Sequence, residues 1–195
     1  MQEIHGTIVV TGAASGIGAA SAQRLAQDGW KIVALDLNRP SYPVHQFIHV
    51  DMGDPDSIDQ AVNQMPTQLN GLCNIAGLPG NRGVERTLRV NFLGLRHLTE
   101  RLIPRLQPGS AIVNLASVAG NQWADRWPQH RAWATTQDFA QGLAWLDAHP
   151  VSEEVVYNYS KEAVIAWTLV RAGELHRQHG IRMNCVKIGR ASCRE

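Results

Sequence analysis

The chain alternates short apolar, β-branched runs with stretches whose apolar residues recur at helical spacing. Residues 7–11 read as a strand, 16–27 as a helix closed by Asp28-Gly29, and 31–36 as a second strand. A third strand at 46–50 follows a turn built on Pro40 and Pro43. Asp54-Pro55 then supplies a cap and a first-turn proline to a short helix running through Gln64. Strands at 72–76 and 111–115 flank a long helix over 87–103. A Trp-rich segment at about 120–152 contains a helix at 137–148 stopped by Pro150, and a last helix over 157–179 precedes a strand at 182–186. This alternation predicts βαβ units on one parallel sheet. Six such strands predict an α/β fold, a Rossmann-type doubly wound parallel sheet in three layers.

Length and composition narrow the class. At 195 residues the chain is one domain, and 44% hydrophobic against 18% charged residues can fill a core. A formal net charge of +1 with no basic run leaves no electrostatic footprint for nucleic acid or an anionic membrane surface. No apolar stretch approaches the roughly 20 residues of a membrane span. The N-terminus lacks the basic start and long apolar run of a secretory signal, so a cytoplasmic protein is expected. Cys73, Cys185 and Cys193 include no CxxC pair and make neither a disulfide framework nor a zinc site. The histidine pairs His45/His49 and His176/His179 lack a third ligand at suitable spacing, so no metal is expected.

The strongest local signal is Thr11-Gly12-Ala13-Ala14-Ser15-Gly16-Ile17-Gly18, between the first strand and the first helix. Glycines there let the backbone turn sharply and approach a pyrophosphate, whose charge suits the helix N-terminus. Asp36 ends the second strand, where a carboxylate would take the adenosine ribose hydroxyls of NAD and repel the 2′-phosphate of NADP. Position 15 is Ser rather than a basic residue, which also points to NAD, although Arg39 softens that preference. Tyr157 and Lys161 stand four apart on one helix face, where an ammonium would favour the phenolate as a proton acceptor.

The spacing GxxxGxG resembles that of the short-chain dehydrogenase/reductase superfamily, and other positions agree in order up to about Val186. Asp51-Met52 falls at the family's adenine-contacting position. Asn74-Ile75-Ala76-Gly77 resembles its Asn-Asn-Ala-Gly motif, departing at Ile75. Asn91, Ser117 and the Tyr157/Lys161 pair match its catalytic positions. The resemblance implies that Tyr157 exchanges a proton with the substrate oxygen, Ser117 holds that oxygen, Lys161 also holds the nicotinamide ribose, and Asn91 holds a proton-relaying water. The bound cofactor would lie along Gly12, Ser15, Gly16, Ile17, Gly18, Asp36, Asp51, Met52, Asn74, Ala76 and Gly77, and touch Tyr157 and Lys161.

Ser117 and Tyr157 are separated by an insertion, as in a subgroup of the family that includes 3α-hydroxysteroid dehydrogenase/carbonyl reductase. The resemblance implies oxidation of a coniferyl-type aromatic allylic alcohol to its aldehyde. The alternatives are a hydroxysteroid dehydrogenase/carbonyl reductase and an inactive NAD(H)-binding fragment. Trp123, Trp127, Trp133 and Trp145 lie in the insertion and are expected in a core or subunit interface rather than on the substrate. By the same resemblance the insertion covers the helix face that otherwise builds tetramers, implying a homodimer. The domain is expected to span 1–186 and to lack the family's last strand and helices. Residues 187–195 read as a non-native tail, because they back-translate readily to the start of a common short-read sequencing adapter.

Overall fold

A computed structural model describes residues 5–189. Strands β1 (Thr7–Thr11), β2 (Lys31–Asp36), β3 (Gln46–His49), β4 (Leu69–Asn74), β5 (Leu106–Ser117) and β6 (Arg182–Ile188) form one parallel sheet. Their order, β3-β2-β1-β4-β5-β6, is the doubly wound arrangement expected from the alternating pattern. It reverses direction between β1 and β4, and a crevice opens there beyond the carboxyl ends of the strands.

The period of two along each strand sorts the core into two layers. Ile8, Val10, Ile32 and Ala34 point to one face, where Ala22 of α1 (Gly16–Gln27) packs. Val9, Val33, Leu35, Leu72 and Ile112 point to the other. That second face is covered by Ile58 of α2 (Pro55–Asn63), with Leu98 and Val164 contributed further along the chain. Among the described residues no helix is long and apolar enough to cross a membrane.

Several stretches depart from the pattern, among them β5, which runs over Leu106–Ser117 rather than 111–115. β4 begins at Leu69 and ends at Asn74, because the Ile75 and Ala76 N–H groups leave the ladder and donate to Thr11 Oγ1 at 2.9 and 3.0 Å. The helix expected over 87–103 is instead α3 (Val84–Leu88), a π-helical turn over Arg89–Gly94, and α4 (Leu95–Leu102). Asn91 sits in that widened turn and clamps the Leu78 backbone, accepting from its N–H at 2.6 Å and donating to its carbonyl at 2.9 Å. β6 runs to Ile188, two residues past the expected end, paired with Ala116 and Ser117. Residues 190–195 of the expected tail lie outside the described residues.

The Trp-rich insertion is helical in two places. α5 (Trp127–Ala134), which the pattern did not reveal, precedes α6 (Phe139–Ala148) and the long α7 (Val156–His179). Trp133 is fully buried, with its ring against Phe92, Trp145 and Tyr159, and its indole N–H donates to the Gly142 carbonyl. The buried Arg96 guanidinium donates to the carbonyls of Trp133, Ala134 and Asp138 and to Thr136 Oγ1. It thereby satisfies the orphan carbonyls where α5 ends. The core expectation for these tryptophans is met at Trp133. Replacing Trp133 by Ala removes the ring that joins α5, α6 and α7, and costs about 3–5 kcal/mol in denaturant unfolding. A loss below about 1 kcal/mol would mean that the insertion is not part of the cooperative core.

Candidate active site

The cleft at the carboxyl edge of the sheet has a volume of about 990 Å³. Its floor is the β1–α1 turn. Gly12 has φ +69°, and a Cβ there would meet the Ala76 backbone at 2.9 Å. A Cβ on Gly18 would stand 2.0 Å from the Gly12 carbonyl oxygen, so only glycine lets α1 seat against the turn. Gly16 has φ +53° and nothing within 4 Å of where its Cβ would be. Ser15 begins α1 without a side-chain cap, and the first turn carries no acidic residue. The helix N–H groups therefore face the cleft with their partial positive charge uncovered, which suits a pyrophosphate.

Asp36 stands across from this turn at the end of β2. Its Oδ2 accepts from the Ala14 N–H at 2.9 Å and its Oδ1 from the Asn38 N–H at 3.0 Å, so the carboxylate is fixed while lone pairs remain for ribose hydroxyls. Asp51 lies farther along the wall, with Met52 beside it. Burial pushes the Asp51 carboxyl up. The hydrogen bonds from Arg86 and the Gly53 N–H, with the charges of Arg86 and Arg89, more than reverse this and hold it below the usual carboxylate range. Arg86 Nη2 lies 2.9 Å from that carboxylate and lines the same cleft. Sequence reasoning missed Arg86, because its partner is 35 residues away and no local pattern marks the pair.

The opposite wall is the end of β5 and the start of α7. Tyr157 and Lys161 line it with Leu115 and Ala116. The Lys161 ammonium donates to the Leu115 carbonyl at 2.7 Å and lies 5.9 Å from the centroid of the Tyr157 ring. Burial pulls Lys161 down to about 8. Ser117 ends β5, and its Oγ accepts from the Ala119 N–H at 3.2 Å, leaving its O–H to donate. A tyrosine hydroxyl, an ammonium and a serine hydroxyl on the β5–α7 side can together exchange a proton with an oxygen and hold that oxygen.

Of the expected site residues, Gly12, Ser15, Gly16, Ile17, Gly18, Asp36, Asp51, Met52, Ala76, Gly77, Tyr157 and Lys161 line the cleft. Asn74, Asn91 and Ser117 are not among the lining residues, although Ser117 follows Ala116 and pairs with Ile188, both of which are. Asn74 is buried inside a side-chain network, donating to Thr99 Oγ1 at 2.9 Å and Asn114 Oδ1 at 2.8 Å. The Asn91 amide is engaged by Leu78 and also donates to Ser160 Oγ at 3.1 Å. Among the described residues no tryptophan lines the cleft.

The family model for short chain dehydrogenase matches residues 6–144. The chain is 42% identical over 189 residues to the coniferyl-alcohol dehydrogenase of Pseudomonas sp., covering 97% of this chain and 74% of that one. It is 30% identical over 164 residues to the sulfoacetaldehyde reductase of Chromohalobacter salexigens, covering 71% of this chain but only 63% of that protein. The 3-alpha-hydroxysteroid dehydrogenase of Pseudomonas sp. B-0831, solved with NADH, superposes with a TM-score of 0.77 at 26% identity. That superposition covers 94% of this chain and 72% of the neighbour.

The depressed Lys161 value has a measurable sign. The folded protein releases that proton near pH 8, whereas the unfolded chain keeps it to about 10.5. Between these values the unfolded state binds more protons, so stability rises with pH; below 8 both states are protonated and the cost is constant. Denaturant unfolding across this window will show the wild type gaining stability relative to Lys161→Met. A flat difference would mean that the ammonium is not desolvated.

Proposed function

Because the chain belongs to the short-chain dehydrogenase family, we propose that its cleft oxidises a coniferyl-type aromatic allylic alcohol to the aldehyde with NAD as acceptor. The observation that carries this reading is the pairing of a glycine floor and Asp36 at one end of a single cleft with Tyr157 and Lys161 at the other. The 42% identity to a coniferyl-alcohol dehydrogenase supports the substrate class.

NAD, when bound, supplies the hydride acceptor. The α1 N-terminus and Gly16 would receive the pyrophosphate, which the open cradle at Gly16 accommodates. Asp36 would take the adenosine ribose hydroxyls and repel a 2′-phosphate, and Asp51 and Met52 would wall the adenine end. Ala76 and Gly77 would close the cleft behind the cofactor, with Asn74 bracing that wall from within.

Tyr157 acts as the proton acceptor for the substrate hydroxyl. Lys161 holds its ammonium 5.9 Å from the centroid of that ring and would reach toward the nicotinamide ribose. Ser117 donates its free O–H to the substrate oxygen as that oxygen changes from alkoxide to carbonyl. Asn91 positions Leu78, which lines the cleft two residues before Gly80, where a Cβ would stand 3.3 Å from Tyr157 Cβ. The protein works as a homodimer, the insertion having taken over the outer face of α7.

Reduced-nicotinamide absorbance with coniferyl alcohol and NAD is the direct assay. Tyr157→Phe should lower turnover by about 10²–10⁴, the range of general acid–base catalysis, while NADH affinity stays within about twofold. Unchanged turnover would remove Tyr157 from the chemistry and leave a nucleotide-binding role. Preferential turnover of a 3α-hydroxysteroid would move the substrate assignment toward the hydroxysteroid dehydrogenase that shares the fold. Asp36→Ala should narrow the preference for NAD over NADP by at least about tenfold, the equivalent of about 1.4 kcal/mol. An unaltered preference would assign that discrimination elsewhere.

A further inference from the structure

Glu162, next to Lys161 on α7, is fully buried and carries a carboxylate that the proposed chemistry does not use. Arg126 Nη1 lies 2.7 and 2.8 Å from its two oxygens, and His130 Nε2 lies 2.7 Å from Oε2. Both partners belong to the insertion: Arg126 stands just before α5, and His130 is inside it. Removing a carboxylate from water costs several kcal/mol, and such a group persists in a fold only when its partners are held in place. The carboxylate therefore fixes Arg126 and His130 as firmly as they fix it.

The location of this clasp gives it a role. The 3-10 turn over Val118–Ala124 starts at Ser117 and leads directly to Arg126. Gly120, in that turn, lies so close to α7 that a Cβ would stand 2.9 Å from the Lys161 carbonyl carbon and from Ile165 Cδ1. One side of the turn thus ends in Ser117 and the other in Arg126, with Lys161 beneath the middle. Arg96 anchors the far end of α5, where it is remote from this turn. Beside the ring contacts of His130 and Trp133 with Tyr159, the Glu162 clasp is the charged link between the insertion and the segment of α7 that carries Tyr157 and Lys161.

We infer that Glu162 and Arg126, supported by His130, are positioning residues that press the Ser117 turn onto α7 and so set Ser117 against Tyr157 and Lys161. The inference rests on the dehydrogenase reading for its catalytic consequence, but the docking it describes is independent of that reading. It acts through geometry: a displacement of about 1 Å in a positioned group can cost on the order of 10²-fold in rate.

Glu162→Gln keeps the shape of the side chain and removes its charge. Arg126→Met removes the partner from a partly exposed position and serves where Glu162→Gln folds poorly. Each variant of the full chain is assayed for alcohol turnover, for KM toward NAD, and by hydrogen exchange with mass spectrometry. The expected result is a fall in kcat of at least about tenfold, KM for NAD within about twofold, and faster exchange confined to 118–134. Arg126→Lys should recover part of the loss. Faster exchange with unchanged kcat overturns the positioning role and leaves a purely structural clasp. Unchanged exchange overturns the inference altogether. If the wild type turns over no alcohol, the dehydrogenase reading fails by itself. Exchange in 118–134 then decides whether Glu162 docks the insertion.

Discussion

An ammonium buried beside the end of a β-strand is the constraint on which the rest of this structure depends. Lys161 lies almost wholly buried at the wall of the cleft, and among the described residues only the Leu115 carbonyl accepts its proton. A charge in that position is tolerable only if α7 and β5 keep their relative height to within hydrogen-bonding distance. Much of the molecule serves that requirement. Gly120 lets the turn after β5 lie on the Lys161 backbone, and a Cβ on Gly77 would approach the ammonium to 3.5 Å. The insertion covers the other side of α7 and excludes water from it.

A second polar device crosses the sheet itself. Thr99 of α4, Asn74 of β4, Asn114 of β5 and Thr168 of α7 form a chain of hydrogen bonds through an otherwise apolar interior. Each end is tied down, since Thr99 and Thr168 donate back to the Leu95 and Val164 carbonyls. Polar groups in a low-dielectric core fix register, because a slip by one residue would orphan several of them together. The two strands whose ends flank the cleft are thus locked to each other and to the two helices beside them.

Much of this was legible in the chain. The bounds of β1, α1 and β2 follow from local signals: β-branched runs, the glycine turn and the Asp28-Gly29 stop. The glycine floor, Asp36, Tyr157 and Lys161 were also readable, because each owes its role to a neighbour in sequence. What escaped was decided by partners far along the chain. The π turn at Arg89–Gly94 has a helical sequence, and its widening accompanies the Asn91 grip on Leu78. α5 begins at Trp127-Pro128 and carries bulky aromatics on several sides, so its inward face emerges only when α7 is present. The Asp51–Arg86 and Arg126–Glu162 pairs span 35 and 36 residues, beyond any periodic signal.

The sheet order also sets a timetable for the chain as it folds. β1, β2 and β3 can assemble from neighbouring segments, but β1 must wait for β4, pairing Ile8 with Gly71. β6 waits longer still, since Ala111 pairs with Arg182 only after the insertion and all of α7 have been made. Closing so long a connection carries an entropic cost before any contact rewards it, which makes such pairings slow. Until that moment the carboxyl half of β5 and the inner face of α7 stand open. The ammonium that later sits almost wholly buried at the cleft wall spends the early life of the molecule in water.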